Sequence, residues 1–353
     1  MFNTYPINIK VYILGFVLSF LLSLIITKML IQVLSRSNFL DGIVKKIPLS
    51  AKNDIMPFGG IAVVLSFFIA SWALFFIGGI DSGNINLLLI ITLSVGFIFL
   101  VGIYDDIVGC SSGAKIIIQI AIALILYLSG FQIERIGDWL ELNHFAFFLT
   151  ALWIVGITNS INLIDGEDGL ASGIVLLSCL TLFFVYLHRN IFESSLLSII
   201  LSGSILGFFI FNLPPAKIIL GDNGSLSLGL LVSLITLLPL NQGFTDEIYY
   251  LIPVVALLVP IVDTSLSFFR RILNRKNPFS KDKKHLHHRL RQLGLSPQNT
   301  ILVLFTVSLF FDLVSLIPVY HINLLPNFIP YFFIFAVINI VFMICALRHF
   351  EKK

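Results

Sequence analysis

Apolar runs of about twenty residues recur along this chain, separated by short polar loops. A helix of that length crosses the ~30 Å hydrocarbon core of a bilayer. It also satisfies its own backbone hydrogen bonds where no water can. The runs place spans at 11–34, 59–79, 86–103, 114–130, 145–161, 171–188, 194–212, 224–240, 249–269, 300–319 and 329–347. The expected fold is an all-α polytopic membrane protein with about eleven transmembrane helices. Only 12% of residues are charged, against ~25% in a soluble domain, which excludes a soluble enzyme. No internal repeat or low-complexity linker interrupts the pattern, so residues 1–353 read as one integral-membrane domain. The first run is too long for the apolar core of a signal peptide and reads as a retained span.

Charge orients the spans. Loops after odd-numbered spans carry Arg36, Lys45, Lys46, Lys52, Lys217 and then a dense basic stretch from Arg270 to Arg291. The opposite face shows only Lys10, Arg135 and Arg189. Basic residues favour the cytoplasmic side, so the N-terminus is expected outside and the C-terminus in the cytoplasm, in a multi-pass inner (cytoplasmic) membrane protein. Cys110, Cys179 and Cys345 are scattered and imply neither a disulfide framework nor a thiolate metal site.

Five polar segments, 52–60, 104–113, 159–173, 212–229 and 270–294, hold nearly all the unusual chemistry. The span count puts all five on one face. Carboxylates, histidines and glycine turns gathered there suit an enzyme working at that surface. A transporter or channel more often sets ionisable groups at mid-membrane.

Each segment has a bland and a chemical reading. Asp105-Asp106 are either solvated helix-end charges or a site for a hard cation or general base, because Mg²⁺ takes oxygen ligands and keeps substrate phosphates in its shell. The run from Asn159 through Asn162, Asp165 and Asp168 to Gly169 interleaves amides, acids and glycines. Helix capping explains one or two of these residues, not all of them. Gly221-Asp222-Asn223-Gly224 is a capped turn, or a helix start whose free N–H groups face an anion beside a metal held by Asp222. Gly59-Gly60 would let backbone approach a ligand closely. His285, His287 and His288 lie among lysines and arginines that repel a cation, so zinc fits poorly. A solvated basic loop near anionic lipid remains open, and a phosphate-binding cluster fits best. Together the segments point to phosphoryl transfer to or from a lipid.

In this order, and over nearly the whole chain, the motifs are LDG…KNDIMPFGG, GIYDDIVG with Lys115 and Gln119, NSINLIDGEDGLASG, FNLPPAKIILGDNGSLSLG and KDKKHLHHRL…LGLS. They resemble the polyprenyl-phosphate N-acetylhexosamine-1-phosphate transferases, integral membrane enzymes of the glycosyltransferase 4 family. These move a sugar-1-phosphate from a UDP-sugar to a polyprenyl phosphate. The pattern from His285 to Arg289 is similar to the branch that starts O-antigen, enterobacterial common antigen or wall teichoic acid. The peptidoglycan branch typically has three consecutive histidines, a run that Leu286 interrupts here; UDP-N-acetylmuramoyl-pentapeptide is therefore the disfavoured donor.

The resemblance implies roles. Asp105 is similar to the proposed base for the lipid phosphate. Asp106 helps organise metal and phosphates, and Asp222 looks like the Mg²⁺ ligand, with Mn²⁺ as the alternative ion. Asn159, Asn162, Asp165 and Asp168 match the segment for nucleotide binding and active-site polarity. Asn212 matches a residue near the uridine pocket, and Lys115 a lysine near the acidic pair. His285, His287, His288 and Arg289 match the basic cluster at the diphosphate or sugar. Lys52 stands where many relatives carry His, and Ile219 where they often carry an aromatic residue that stacks on uracil. The implied partners are polyprenyl phosphate, a UDP-N-acetylated sugar and the bilayer, with no nucleic acid, and a homodimer is the implied assembly. UDP-N-acetylglucosamine is the default donor; other UDP-N-acetylhexosamines differ by single hydroxyl changes.

A cation-coupled transporter is the rival from another class. It would draw on ionisable residues within spans, for which Lys28, Asp263 and Asp312 are the candidates. A structural scaffold leaves the acids and histidines unexplained.

Overall fold

Apolar composition becomes helix along most of the described residues. The computed structural model describes residues 9–36, 55–137, 140–244, 248–275 and 285–320. The helices are α1 (Ile9–Arg36), α2 (Gly59–Phe76), α3 (Ile85–Val108), α4 (Ser112–Leu128), α5 (Ala146–Ile164) and α6 (Leu170–His188). They continue as α7 (Phe192–Asn212), α8 (Gly221–Asn241), α9 (Ile248–Ala256), α10 (Leu258–Leu273), α11 (Leu286–Gln292) and α12 (Pro297–Tyr320). Among the described residues, eight helices are long and apolar enough to cross a membrane, or nine if the bent pair α9–α10 is one span. The protein is thus a multi-pass helical membrane protein. α4 is apolar but only 17 residues long. The expected span at 329–347 and Lys52 lie outside the described residues.

The one sheet among these residues is small. Strands β1 (Arg135–Ile136) and β2 (Leu140–Glu141) pair antiparallel, with Arg135 opposite Glu141 and Ile136 opposite Leu140. They form between α4 and α5.

Some helix ends lie beyond the apolar runs that predict them. α3 runs on through Asp105 and Asp106 and ends at Gly109, whose φ of +86° suits a residue without a side chain. α5 continues past Asn162, and α8 begins at Gly221 so that Asp222 lies in its first turn. Asp105, Asp106, Asn162 and Asp222 therefore stand on helix ends, not in loops.

The ninth expected span is two helices, α9 and α10, bent by 75° at Leu257. Pro260 is the cause: it has no N–H to give to the carbonyl of Ala256, and its ring crowds that carbonyl. The freed Ala256 carbonyl accepts the hydroxyl of Ser178 on α6 at 2.8 Å. A neighbouring side chain thus restores the bond that proline removed.

Helix α8 is the centre of the bundle and is buried along almost its whole length. Small residues let its neighbours approach, as helix packing in lipid requires. A Cβ on Gly60 of α2 would overlap Asn223 and Gly224, one on Gly102 of α3 would overlap the backbone at Asn223, and one on Gly229 would overlap Thr158 of α5. Gly59 and Gly60 were expected to open backbone to a ligand. Instead their N–H groups donate to the carbonyls of Ile219 and Leu220, both at 2.9 Å, and seat α2 against the start of α8. On the bundle's side, Gly203 and Gly207 of α7 receive the backbone of α1 at Phe16 and Phe20 in the same way.

Candidate functional site

Four helix ends meet around one lysine. Ser111 caps α4 by accepting the N–H of Ala114 at 3.2 Å, which sets Lys115 in the first turn. The Lys115 ammonium then bridges two carboxylates, Asp105 Oδ2 of α3 at 2.5 Å and Asp222 Oδ2 of α8 at 2.8 Å. The other Asp105 oxygen accepts the N–H of Cys110 at 2.5 Å. The other Asp222 oxygen accepts the amide of Asn162 of α5 at 3.1 Å, and that amide also donates to Ser225 at 2.8 Å. Asp222 is the most open carboxylate of the pair, its side chain 33% exposed against 10% for Asp105.

Asp106 does something the sequence hides. Its two oxygens accept the N–H groups of Asp222 (2.9 Å) and Asn223 (3.0 Å) and the side-chain amide of Asn223 (2.6 Å). The start of α8 is therefore capped by the end of α3. Of the two readings of this turn, the capped one holds: a carboxylate of the chain, that of Asp106, takes these N–H groups, as a helix N-terminus favours.

Asp165 ends α5 and stands half-buried beside this group. Burial, and the carboxylates of Asp222, Asp106 and Asp168 around it, hold its carboxyl well above the usual carboxylate range. Asp168 lies one turn on, where its Oδ2 accepts the N–H of Ala216 at 3.1 Å. Asn212 is buried and fully engaged: its amide donates to the Ile218 carbonyl at 2.9 Å and its oxygen accepts the Ser172 hydroxyl at 2.7 Å. Both residues shape the 213–220 loop from beneath. Ile219 in that loop is half-buried and gives its carbonyl to Gly59. Asn159 faces α4, donating to Gln119 at 2.5 Å.

The histidines form a second region on α11. The rings of His285 and His287 are parallel at 5.9 Å, and those of His287 and His288 lie 4.1 Å apart. His285 and His287 are buried; His288 and Arg289 are half-buried. The two regions touch at Gly166, where a Cβ would overlap the His287 ring, and at Glu167, 3.9 Å from Arg291. Glycine beside Asp165 is thus what lets the acidic turn and the basic helix close together.

The sequence offers Asp263 of α10 only to the transporter reading; the structure sets it at the histidines instead, 2% exposed and bonded to His285 at 2.9 Å. A charged residue in an apolar run was the signal available. It does not join Lys28 and Asp312 in a polar path. Lys28 is on the exposed side of α1, and Asp312 is buried in α12 beside Ser308.

Residues 87–239 match the family model described as glycosyl transferase family 4. A Bacillus subtilis relative named "Probable undecaprenyl-phosphate N-acetylglucosaminyl 1-phosphate transferase" is 38% identical over 232 residues, 64% of this chain and 64% of its own length. The undecaprenyl-phosphate alpha-N-acetylglucosaminyl 1-phosphate transferase of Thermotoga maritima is 35% identical over 62% of this chain and 67% of its own length. The phospho-N-acetylmuramoyl-pentapeptide-transferase of Prochlorococcus marinus is 31% identical over 85% of this chain and 87% of its own length. The chain belongs to glycosyl transferase family 4. The match spans less than two thirds of the Bacillus relative's length. The family 4 region runs from α3 to α8, and so takes in the whole carboxylate group around Lys115 but not α11 and its histidines.

Proposed function

We propose that this protein transfers N-acetylhexosamine-1-phosphate, in the first instance N-acetylglucosamine-1-phosphate, from a UDP-sugar to a polyprenyl phosphate. The products are polyprenyl-diphospho-sugar and UMP, a first membrane step of cell-surface polysaccharide synthesis. The observation that carries this reading is the Lys115 bridge between Asp105 and Asp222, beside Asp165 and within reach of a histidine helix. An ammonium among carboxylates, edged by imidazoles, suits a highly charged diphosphate substrate.

The donor set also suits Mg²⁺. Among the described residues, no three His, Cys, Asp or Glu side chains form a metal cage by themselves. Mg²⁺ needs no such cage: one or two carboxylates suffice when substrate phosphates and water supply the rest. Asp222, the more exposed of the two carboxylates on Lys115, and Asp165, set beside Asp222, Asp106 and Asp168, are the residues that would hold it. A bound Mg²⁺ would offset the charge of the diphosphate and of the departing UMP.

The remaining steps fall to the chain. An incoming phosphate competes for the Lys115 ammonium and leaves Asp105 free to take its proton. That demand is mild, since a phosphate monoester loses its second proton near pH ~6. The lipid phosphate oxygen attacks the sugar-linked phosphorus, the bond to the UMP oxygen breaks, and UMP leaves with the electron pair. His287, His288 and Arg289 steady the diphosphate. One phosphoanhydride replaces another, so the reaction runs both ways and UMP inhibits. The orientation proposed is N-terminus outside and C-terminus in the cytoplasm of the inner membrane, which sets the site on the cytoplasmic face.

The long match to the Prochlorococcus relative supports a second reading, in which the donor is UDP-N-acetylmuramoyl-pentapeptide. Leu286, buried between His285 and His287, weighs against it. The test is a radiolabel assay with purified protein, polyprenyl phosphate and each UDP-sugar, with and without Mg²⁺. Magnesium-dependent label in the lipid phase from UDP-N-acetylglucosamine supports the main reading. Label from the muramoyl donor alone favours the second, and no transfer from any donor by folded protein rejects both.

A further inference from the structure

Asp263 is an acid inside an apolar helix, and the cost of burying its charge requires specific partners. It lies one turn beyond the proline break, on α10, and both its oxygens point at the start of α11. Oδ1 accepts the N–H of Leu286 at 2.7 Å, and Oδ2 meets His285 Nδ1 at 2.9 Å. His285 is the residue that precedes the first turn of α11, and Leu286 opens that turn. One carboxylate therefore grips both the backbone and the first imidazole of the histidine helix. The Ser267 hydroxyl, one turn further along α10, lies 3.4 Å from the same Nδ1.

This geometry has a chemical consequence. An ionised carboxylate only accepts, so the hydrogen on the His285 ring nitrogen facing it must sit on Nδ1. With Nδ1 taken, Nε2 is the ring atom left to meet substrate. The parallel ring of His287, 5.9 Å away, carries the same alignment towards the acidic turn at Gly166.

We infer that Asp263 is a positioning residue for the transfer reaction: it fixes His285 in the Nδ1–H form and aims Nε2 at the diphosphate. The inference rests on the transferase reading above. It adds a residue outside the family 4 match, reached through the α9–α10 bend. The bend then has a use, since a straight span would carry Asp263 away from α11.

The test is Asp263→Asn in full-length protein, alone and combined with His285→Gln. The amide keeps an oxygen for the Leu286 N–H but presents N–H to Nδ1, which moves the ring proton to Nε2. With wild-type His285 present, kcat is expected to fall about ten- to a hundredfold, as for loss of a partner that orients a histidine. In the His285→Gln background the same change should cost nothing further. Equal losses in both backgrounds would overturn the inference, because a purely structural residue acts regardless of His285. Ring ¹⁵N spectra give a readout independent of turnover. The signal lost in His285→Gln should report Nδ1–H in the wild type and Nε2–H in Asp263→Asn. If Asp263→Asn does not fold, the wild-type spectrum still decides, and Nε2–H there rejects the proposal. A wild type inactive with every donor, yet showing Nδ1–H, counts against the transferase reading and leaves the positioning geometry standing.

Discussion

The carboxylate group and the histidine helix are neighbours held in opposite ways. Around Lys115, four helix ends converge, and each of Asp105, Asp106 and Asp222 accepts bonds from at least two donors on other turns or helices. α11 is seven residues long and is tied at its first turn to Asp263 and along one side to the Gly166 turn. The first region is a rigid frame built into the most buried helix of the bundle. The second is a small element docked on that frame. Rigid charge placement suits the reacting phosphates, and a docked helix suits substrate entry and release.

The largest effects are expected where the frame carries the chemistry. Asp222→Asn and Asp105→Asn should each lower kcat about a thousandfold or more, with the protein still folded and extractable. Full activity in both variants, measured by label transfer, would remove the frame from the reaction. Replacing His288 should cost less, because the other basic groups of α11 remain.

Two glycines turn the comparison into a paired experiment. Gly60→Ala forces a methyl into Asn223 and Gly224, inside the frame, where backbone has nowhere to go. Overpacking of that kind costs about 1–3 kcal/mol, seen as a lower melting temperature in detergent, with activity falling as the fold does. Gly166→Ala forces a methyl into the His287 ring, at the docking surface. α11 can shift to relieve it, so melting should change little while KM for the UDP-sugar rises about tenfold, near 1.4 kcal/mol of binding. If Gly166→Ala destabilises as much as Gly60→Ala, α11 is part of the frame and the contrast fails.

What the sequence reveals follows the same division. Apolar length alone predicts α1, α2, α5, α6, α7 and α12 within a few residues, because each is a lipid-length run with ordinary ends. The end of α3 is misread because Asp105 and Asp106 look like charges leaving a membrane. Asp105 is held by Lys115, across the short α3–α4 turn, and Asp106 by the first turn of α8, which is distant in the chain and leaves no periodic trace. Pro260 is visible, yet hydropathy averages over it and reads α9–α10 as one span. Asn162 and Asp222 are legible as chemistry from their residue types, and Lys115 only through the family resemblance. That Asp168 and Asn212 bind the 213–220 loop, and that Asp263 binds the histidine helix, needs the fold.

The smallest effect, and the most direct probe of the frame's charge, is expected at Asp165. Its carboxyl is held above the usual range, first by burial and then by Asp222, Asp106 and Asp168. In the unfolded chain the same group titrates near pH ~3.9. Protonated, it fits the folded site; ionised, it burdens the folded state with a further negative charge. Its contribution to stability is therefore complete below the unfolded value and is lost as pH rises through the raised folded one. Asp165→Asn has no such titration. At neutral pH and without divalent cations it should melt above the wild type, and the gap should narrow as pH is lowered. Added Mg²⁺ should close the gap from the other side, by stabilising the wild type more than the variant. A gap indifferent to both pH and Mg²⁺ would mean that the ionised Asp165 is already compensated within the chain. The frame would then hold its charges without needing the metal that the proposed reaction assigns to it.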